Sequence, residues 1–190
     1  MTENISKVSV ESDHQGLPTN GELTPMDKVF SDYDSRFHDA LFRADDEDSS
    51  AIDMKCAREI LVSEGLGVVK KPEDCDRILS ELHNDNCKEL RELVEKKNTA
   101  LEFAQIISDF DKHHSAILGD NSSDEDDEAL QLINCNELRF HYLSAAIEKA
   151  NTQQECLEVL GRTFDCPEQA YIRKLVKEKM ENLPISVRQP

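Results

Sequence analysis

The sequence has no tryptophan, only six glycines and six prolines in 190 residues, and aromatic side chains at 5%. So few glycines leave little scope for a phosphate cradle. Neither Gly-x-Gly-x-x-Gly nor Gly-x-x-x-x-Gly-Lys occurs. Long apolar runs are missing as well: no stretch approaches the roughly 20 residues that span a bilayer. The opening MTENISKVSVESDHQG lacks the apolar core of a secretory signal. A soluble, intracellular chain, cytoplasmic or nuclear, is the expectation. No useful segment alternates apolar and polar residues beyond Val68-Val69, so strands are not expected.

Close cysteine pairs are absent too. Cys56, Cys75, Cys87, Cys135, Cys156 and Cys166 form no Cys-x-x-Cys, which argues against a zinc knuckle. Several fall on the apolar face of a helical pattern and read as reduced structural thiols rather than a disulfide framework. Positive charge is also scarce, with 22 basic residues against 40 acidic ones and a formal net charge of −18. Such a field repels phosphate backbones and anionic lipid, so nucleic acid and membrane are excluded as first-choice partners. A basic protein surface is the natural complement.

What remains is a chain of amphipathic helices. Residues 1–23 are polar and aperiodic and read as a disordered tail. Thr24-Pro25-Met26-Asp27 opens the first helix, because threonine can cap, proline suits the first helical position and aspartate suits the first turn. Val29, Phe30, Tyr33, Phe37, Ala40 and Leu41 then recur at spacings of three and four. This stripe reads either as packed core or, through Phe30, Tyr33, Phe37 and Leu41, as an apolar docking face.

Further helices follow at Ile52–Leu61, at Cys75–Leu82 behind Lys71-Pro72, from Cys87 onward, from Leu130 to Ile147, and at Cys156–Leu160. Gly65-Leu66-Gly67 can end the second with a left-handed cap. Asn98-Thr99 either caps a new helix or lies inside one long helix, and the sequence leaves both open. Thr152-Gln153-Gln154-Glu155 matches a capping box. A last helix begins around Asp165-Cys166-Pro167-Glu168 and stops near Leu183-Pro184.

The expected fold is therefore all-α, a bundle or stacked antiparallel hairpins of about seven or eight helices. One helical domain spans 24–184, with acidic loops at 44–50 and 119–127 and a tail at 185–190. Two hairpins, PEDCDRILSELHNDNCKELRELVEKK and QQECLEVLGRTFDCPEQAYIRKLVKEKM, look alike. Their offsets differ, and two copies fall short of the three a solenoid needs. The likeness is attributed to chance or shared hairpin geometry ahead of a true repeat.

Catalytic and metal chemistry find little support. Read as a calcium loop, Asp120, Ser122 and Asp124 suit the first ligands, but Glu125 stands where glycine must turn the chain and Gln131 where a bidentate glutamate must bind. His38-Asp39 and His113-His114 carry the residue types of a metal-dependent hydrolase, but adjacent helical residues diverge by about 100°. No metal, cofactor or catalytic residue is assigned. His83 and His141 read as cap, turn or core-edge residues, and Cys166 as a cap-region cysteine.

Acidic stretches hold the remaining signal. Asp45, Asp46, Glu47 and Asp48, with Asp124, Glu125, Asp126, Asp127 and Glu128, form a candidate partner-binding strip. Ser50, Ser122 and Ser123 each have an acid three residues on, which resembles the sites of acid-directed, casein-kinase-type enzymes. Arg173, Lys174 and Lys177 give the last helix a basic face that can fold back onto the acidic body.

The function expected from these features is a non-enzymatic interaction module, an adaptor or regulatory subunit. It would hold a partner helix or peptide in a groove between helices, with acidic, phosphorylatable loops tuning the contact. The alternatives are an acidic escort of a basic client such as a histone or ribosomal protein, and a helical metal-dependent hydrolase. Oligomeric state does not follow from the sequence.

Overall fold

The computed structural model describes residues 23–43, 47–83, 87–119, 125–163 and 169–184. Among them are seven helices and no strand: α1 (Pro25–Arg43), α2 (Glu47–Val68), α3 (Pro72–Ser80), α4 (Lys88–Gly119), α5 (Glu125–Lys149), α6 (Gln153–Gly161) and α7 (Ala170–Asn182). The protein is all-α, and none of the described helices is long and apolar enough to cross a membrane.

Local chemistry accounts for the helix ends. The Asp27 amide donates to Thr24 Oγ1 over 3.1 Å, and Pro25 takes the first helical position. Pro72 does the same for α3 behind an extended Lys71. The capping box of α6 is formed: the Glu155 amide donates to Thr152 Oγ1, and Glu155 Oε2 accepts from the Thr152 amide. Helix α7 ends at Asn182, two residues before Pro184.

Three boundaries differ from the sequence reading. Helix α2 begins at Glu47 and α5 at Glu125, so much of 44–50 and 119–127 is helical; carboxylates are favoured in a first helical turn, where the backbone amides point outward. Gly65-Leu66-Gly67 does not cap α2, and no described glycine has positive φ. Gly65 lies inside the helix, where a Cβ would come within 2.7 Å of Ile78 Cδ1; glycine there lets α3 pack close. At Asn98-Thr99, where the sequence left one helix or two open, α4 is one helix of 32 residues. Thr99 Oγ1 bonds back to the Glu95 carbonyl and the Asn98 amide reaches Asp76 Oδ1, so neither residue caps anything.

The domain read from the sequence carries two buried clusters. The first joins Tyr33, Leu61, Val62, Ile78, Leu82 and Val94, from α1, α2, α3 with the turn after it, and the start of α4. The second joins Phe103, Phe110, Leu143, Val159, Ile172 and Val176, from the rest of α4 with α5, α6 and α7. Each such fully buried side chain contributes about 1.5–3 kcal/mol of hydrophobic stabilisation. Helix α4 is thus the last helix of one lobe and the first of the next.

The two lobes repeat one plan. Met26, Phe30, Tyr33 and Phe37 of α1 recur as Phe103, Ile107, Phe110 and His114 of α4, roughly eighty positions on. Val62, Gly65 and Val69 recur as Leu143, Ala146 and Ala150, all buried. Helices α3 and α6 have nine residues each, and Cys75 and Ile78 match Cys156 and Val159, all four buried. Even the caps agree: Lys71 has φ −132 and ψ 151, and Thr152 has φ −130 and ψ 154. The likeness that the sequence attributes to hairpin geometry therefore belongs to a duplicated four-helix unit.

Candidate functional site

Helices α5 and α7 pack against each other and leave a groove of about 490 Å³ on their outer side. Its position follows from helical phase. Ile172 and Val176 point α7 into the second core, so Tyr171 and Leu175, one residue earlier in each case, lie at the seam with α5. From α5 come Phe140, Ser144 and Ile147. The Phe140 and Tyr171 rings sit 6.1 Å apart at the mouth, 53% and 54% exposed. Large aromatic side chains this exposed, facing each other across two helices, are uncommon on a surface that has finished burying its apolar groups.

Charge in the groove is mixed, but its bases are already engaged. Lys179 Nζ donates to the Glu148 carbonyl over 3.2 Å, and Lys174 Nζ lies 3.6 Å from Glu178 Oε1. The Glu148 carboxylate has no ion-pair partner among the described residues. Ser144 Oγ is buried in the groove and makes no hydrogen bond. A smaller hollow of about 280 Å³ lies between α1 and α2, lined by Arg36, Asp39, Asp53 and Cys56, with Arg36 held 2.9 Å from Asp32.

The residues singled out from sequence distribute differently. Tyr33 is 4% exposed, and Phe30 and Phe37 pack against the first core, capped by the Arg77 and Arg58 guanidinium groups at 4.4 Å and 5.0 Å from their ring centres. The stripe of α1 is therefore core and not a docking face; only Leu41, near the end of the helix, stays exposed. Ser50 is half-buried, and its hydroxyl donates to the Ala40 carbonyl over 3.1 Å, tying α2 to α1. Arg173 is half-buried, whereas Lys174 and Lys177 are exposed.

Asp45, Asp46, Ser122, Ser123, Asp124 and Cys166 lie outside the described residues, as do the side chains of Glu47, Asp48, Glu125, Asp126, Asp127 and Glu128. Cys56, Cys75, Cys87, Cys135 and Cys156 are free thiols. Burial pushes Cys75 up to about 11, and raises Cys156 as well, which makes both poor nucleophiles.

The histidines do not converge. His38 stands on α1 against Phe42, whereas His113 and His114 sit on α4 in the other lobe. No group of three metal-ligating side chains gathers among the described residues. His114 instead meets Arg139, and its neighbour Asp111 takes two bonds from Arg162, at 2.9 and 2.7 Å.

Comparison with protein-family models, with curated proteins and with solved structures finds no match to this chain.

The groove's aromatic pair had a signal in the sequence. Phe140 stands exposed at the edge of the apolar stripe of α5, in line with Ile147, and Tyr171 immediately precedes the buried Ile172. A large apolar residue out of phase with its helix's core face is the mark of a second face.

Proposed function

We propose that the protein is a non-enzymatic interaction module, an adaptor or regulatory subunit that receives a helical or peptide segment of a partner in the groove between α5 and α7. The observation that carries this reading is the exposed Phe140–Tyr171 pair above a floor that includes Ile147 and Leu175. Aromatic anchors beside apolar floors are where binding energy concentrates in protein interfaces. The acidic segments Asp45–Asp48 and Asp124–Glu128 raise the encounter rate with a basic partner, and phosphorylation of Ser122 and Ser123 adds to the same field. A cytosolic or nuclear setting fits this reading.

A lysate capture at about 0.1 M and about 0.5 M salt tests it, because exposed ion pairs are screened at the higher value and apolar contacts are not. A partner kept by the wild-type chain at high salt, and lost when Phe140→Glu and Tyr171→Glu are introduced, is the expected outcome. Retention by the variant removes the reading. The formal charge of −18 supports a second reading, an acidic escort of a basic client such as a histone or ribosomal protein. That reading expects a set of basic proteins, all released at high salt.

A further inference from the structure

The duplication makes each lobe a reference for the other. The first-lobe counterpart of the groove lies between α2 and the start of α4. Leu66 and Leu93 hold there the positions that the groove-lining Ile147 and Leu175 hold in the second lobe. Two positions break the match. Glu59 and Glu89, both exposed, stand where the second lobe has Phe140 and Tyr171. The same scaffold therefore carries acids at one mouth and aromatic rings at the other.

The apolar side chains of α5 also have a spacing of their own. Ile133, Phe140 and Ile147 are seven residues apart, so they lie on one line along the helix. Ile133 and Phe140 are more than half exposed. A seven-residue line is what a second helix buries when it packs nearly parallel to the first. The groove between α5 and α7 opens beside this line, with Phe140 and Ile147 on one side and Tyr171 and Leu175 on the other. Glu137, on the neighbouring ridge of the same face between Ile133 and Phe140, and Glu148 at the far end have no ion-pair partner among the described residues. Lys174 and Lys179 are already engaged within the lobe.

We infer that the groove between α5 and α7, and not its first-lobe counterpart, seats an amphipathic α-helix with apolar residues at heptad spacing flanked by lysine or arginine. The inference rests on the interaction-module reading and names the chemistry of the partner. A second copy of this chain is a poor occupant, since each copy carries a formal charge of −18.

The test is a selection from a displayed library of helical peptides, with charge and apolar spacing randomised, against the full chain. Enriched peptides are expected to combine a heptad apolar line with a net positive charge. They should bind Phe140→Glu/Tyr171→Glu at least about tenfold more weakly, and Leu93→Glu unchanged. The double variant places at exposed positions the residue type that the first lobe carries at Glu59 and Glu89, and its folding is checked by circular dichroism and thermal melting.

A second variant, Glu137→Lys/Glu148→Lys, keeps the apolar line and reverses the charge. Selected basic peptides should lose about tenfold against it, and acidic ones should be enriched. Enrichment of neutral or acidic helices by the wild-type chain overturns the inference. So does equal binding by the double variant, loss of binding on Leu93→Glu, or a wild-type dimer in sedimentation that Phe140→Glu/Tyr171→Glu dissociates. If a lysate partner depends on Phe140 and Tyr171 but no basic helix is enriched, the module reading stands and this inference falls. If neither is found, both fall.

Discussion

Arg139 Nη2 donates to His114 Nε2 across 2.6 Å, in the place where the other lobe sets the Arg58 guanidinium 5.0 Å from the centre of the Phe37 ring. Arginine can only donate, so the imidazole must accept, which places its own proton on Nδ1. The first lobe lays a half-buried arginine on an aromatic face, and the second sets a buried one against a ring nitrogen. Arg139 is 3% exposed.

This pair predicts a pH response. Burial, and then the Arg139 charge, hold His114 below the usual histidine range, with Asp111 pulling weakly the other way. The unfolded chain takes up this proton near about pH 6.5 while the native chain resists it. Stability should hold above that value and decline as pH falls from it toward 5. His114→Phe copies the Phe37 arrangement and should flatten the decline. Urea midpoints measured from pH 5 to 7.5 on both chains decide it, and parallel curves would exclude His114 as the cause.

Gly65 and Ile78, in close approach in the first lobe, correspond by position to Ala146 and Val159, both buried in the second core, so one carbon is exchanged between the two positions. Gly65→Ala alone gains about 1 kcal/mol of helix preference but loses about as much or more to overpacking. Combining it with Ile78→Val should relieve the clash, giving a favourable coupling of about 1 kcal/mol in a double-mutant cycle. Strict additivity would show that the close approach costs nothing.

Arg162 grips Asp111 with two bonds and Glu158 with a third, joining the end of α6 to α4. Arg162→Lys cannot reproduce the paired geometry. With Asp111 half exposed, the loss should be only about 1 kcal/mol. The hydrogen bond from Arg162 holds the Asp111 carboxyl below its usual range, so this contribution is present above about pH 4 and disappears as acid protonates the carboxylate. Acid unfolding should therefore begin at higher pH in the variant.

Ser50→Ala should cost about 1 kcal/mol by removing the bond to the Ala40 carbonyl. Ser50→Asp should cost more, since it sets a carboxylate against that carbonyl. Thermal melts of the two variants compare the effects directly. A neutral Ser50→Ala would mean that the α1–α2 contact does not depend on this hydroxyl.

Thiol accessibility should follow burial. A disulfide-exchange reagent near pH 8 is expected to modify the exposed Cys56 promptly and to reach Cys75 and Cys156 only when the chain is unfolded. Mass mapping of the native reaction checks this. Early labelling of Cys75 would contradict its place in the first core.

Patterns that act within a few residues were legible in the sequence. Thr24-Pro25, Lys71-Pro72 and Thr152–Glu155 each declare a helix start through chemistry confined to one turn, and each start falls where that chemistry puts it. Decisions made between helices were hidden. Gly65 looks like a terminator until Ile78 stands against it, and Asn98-Thr99 looks like a cap until Asp76 and the Glu95 carbonyl claim its side chains. The aromatic stripe of α1 was ambiguous because core and docking faces share one periodicity, and only packing distinguishes them. The groove was hidden for a related reason: Phe140 and Tyr171 stand on different helices, and their proximity is a property of the fold.

Between Val94, in the first core, and Phe103, in the second, runs an uninterrupted stretch of α4. Every residue of a helix turns the chain by about 100° and advances it by about 1.5 Å. The number of residues in that stretch therefore sets the angle at which the second lobe, and the mouth of its groove, faces relative to the first. A single inserted residue would swing that mouth about a quarter of the way round the molecule without altering one side chain inside it, so α4 works as a screw thread whose pitch aims the binding face.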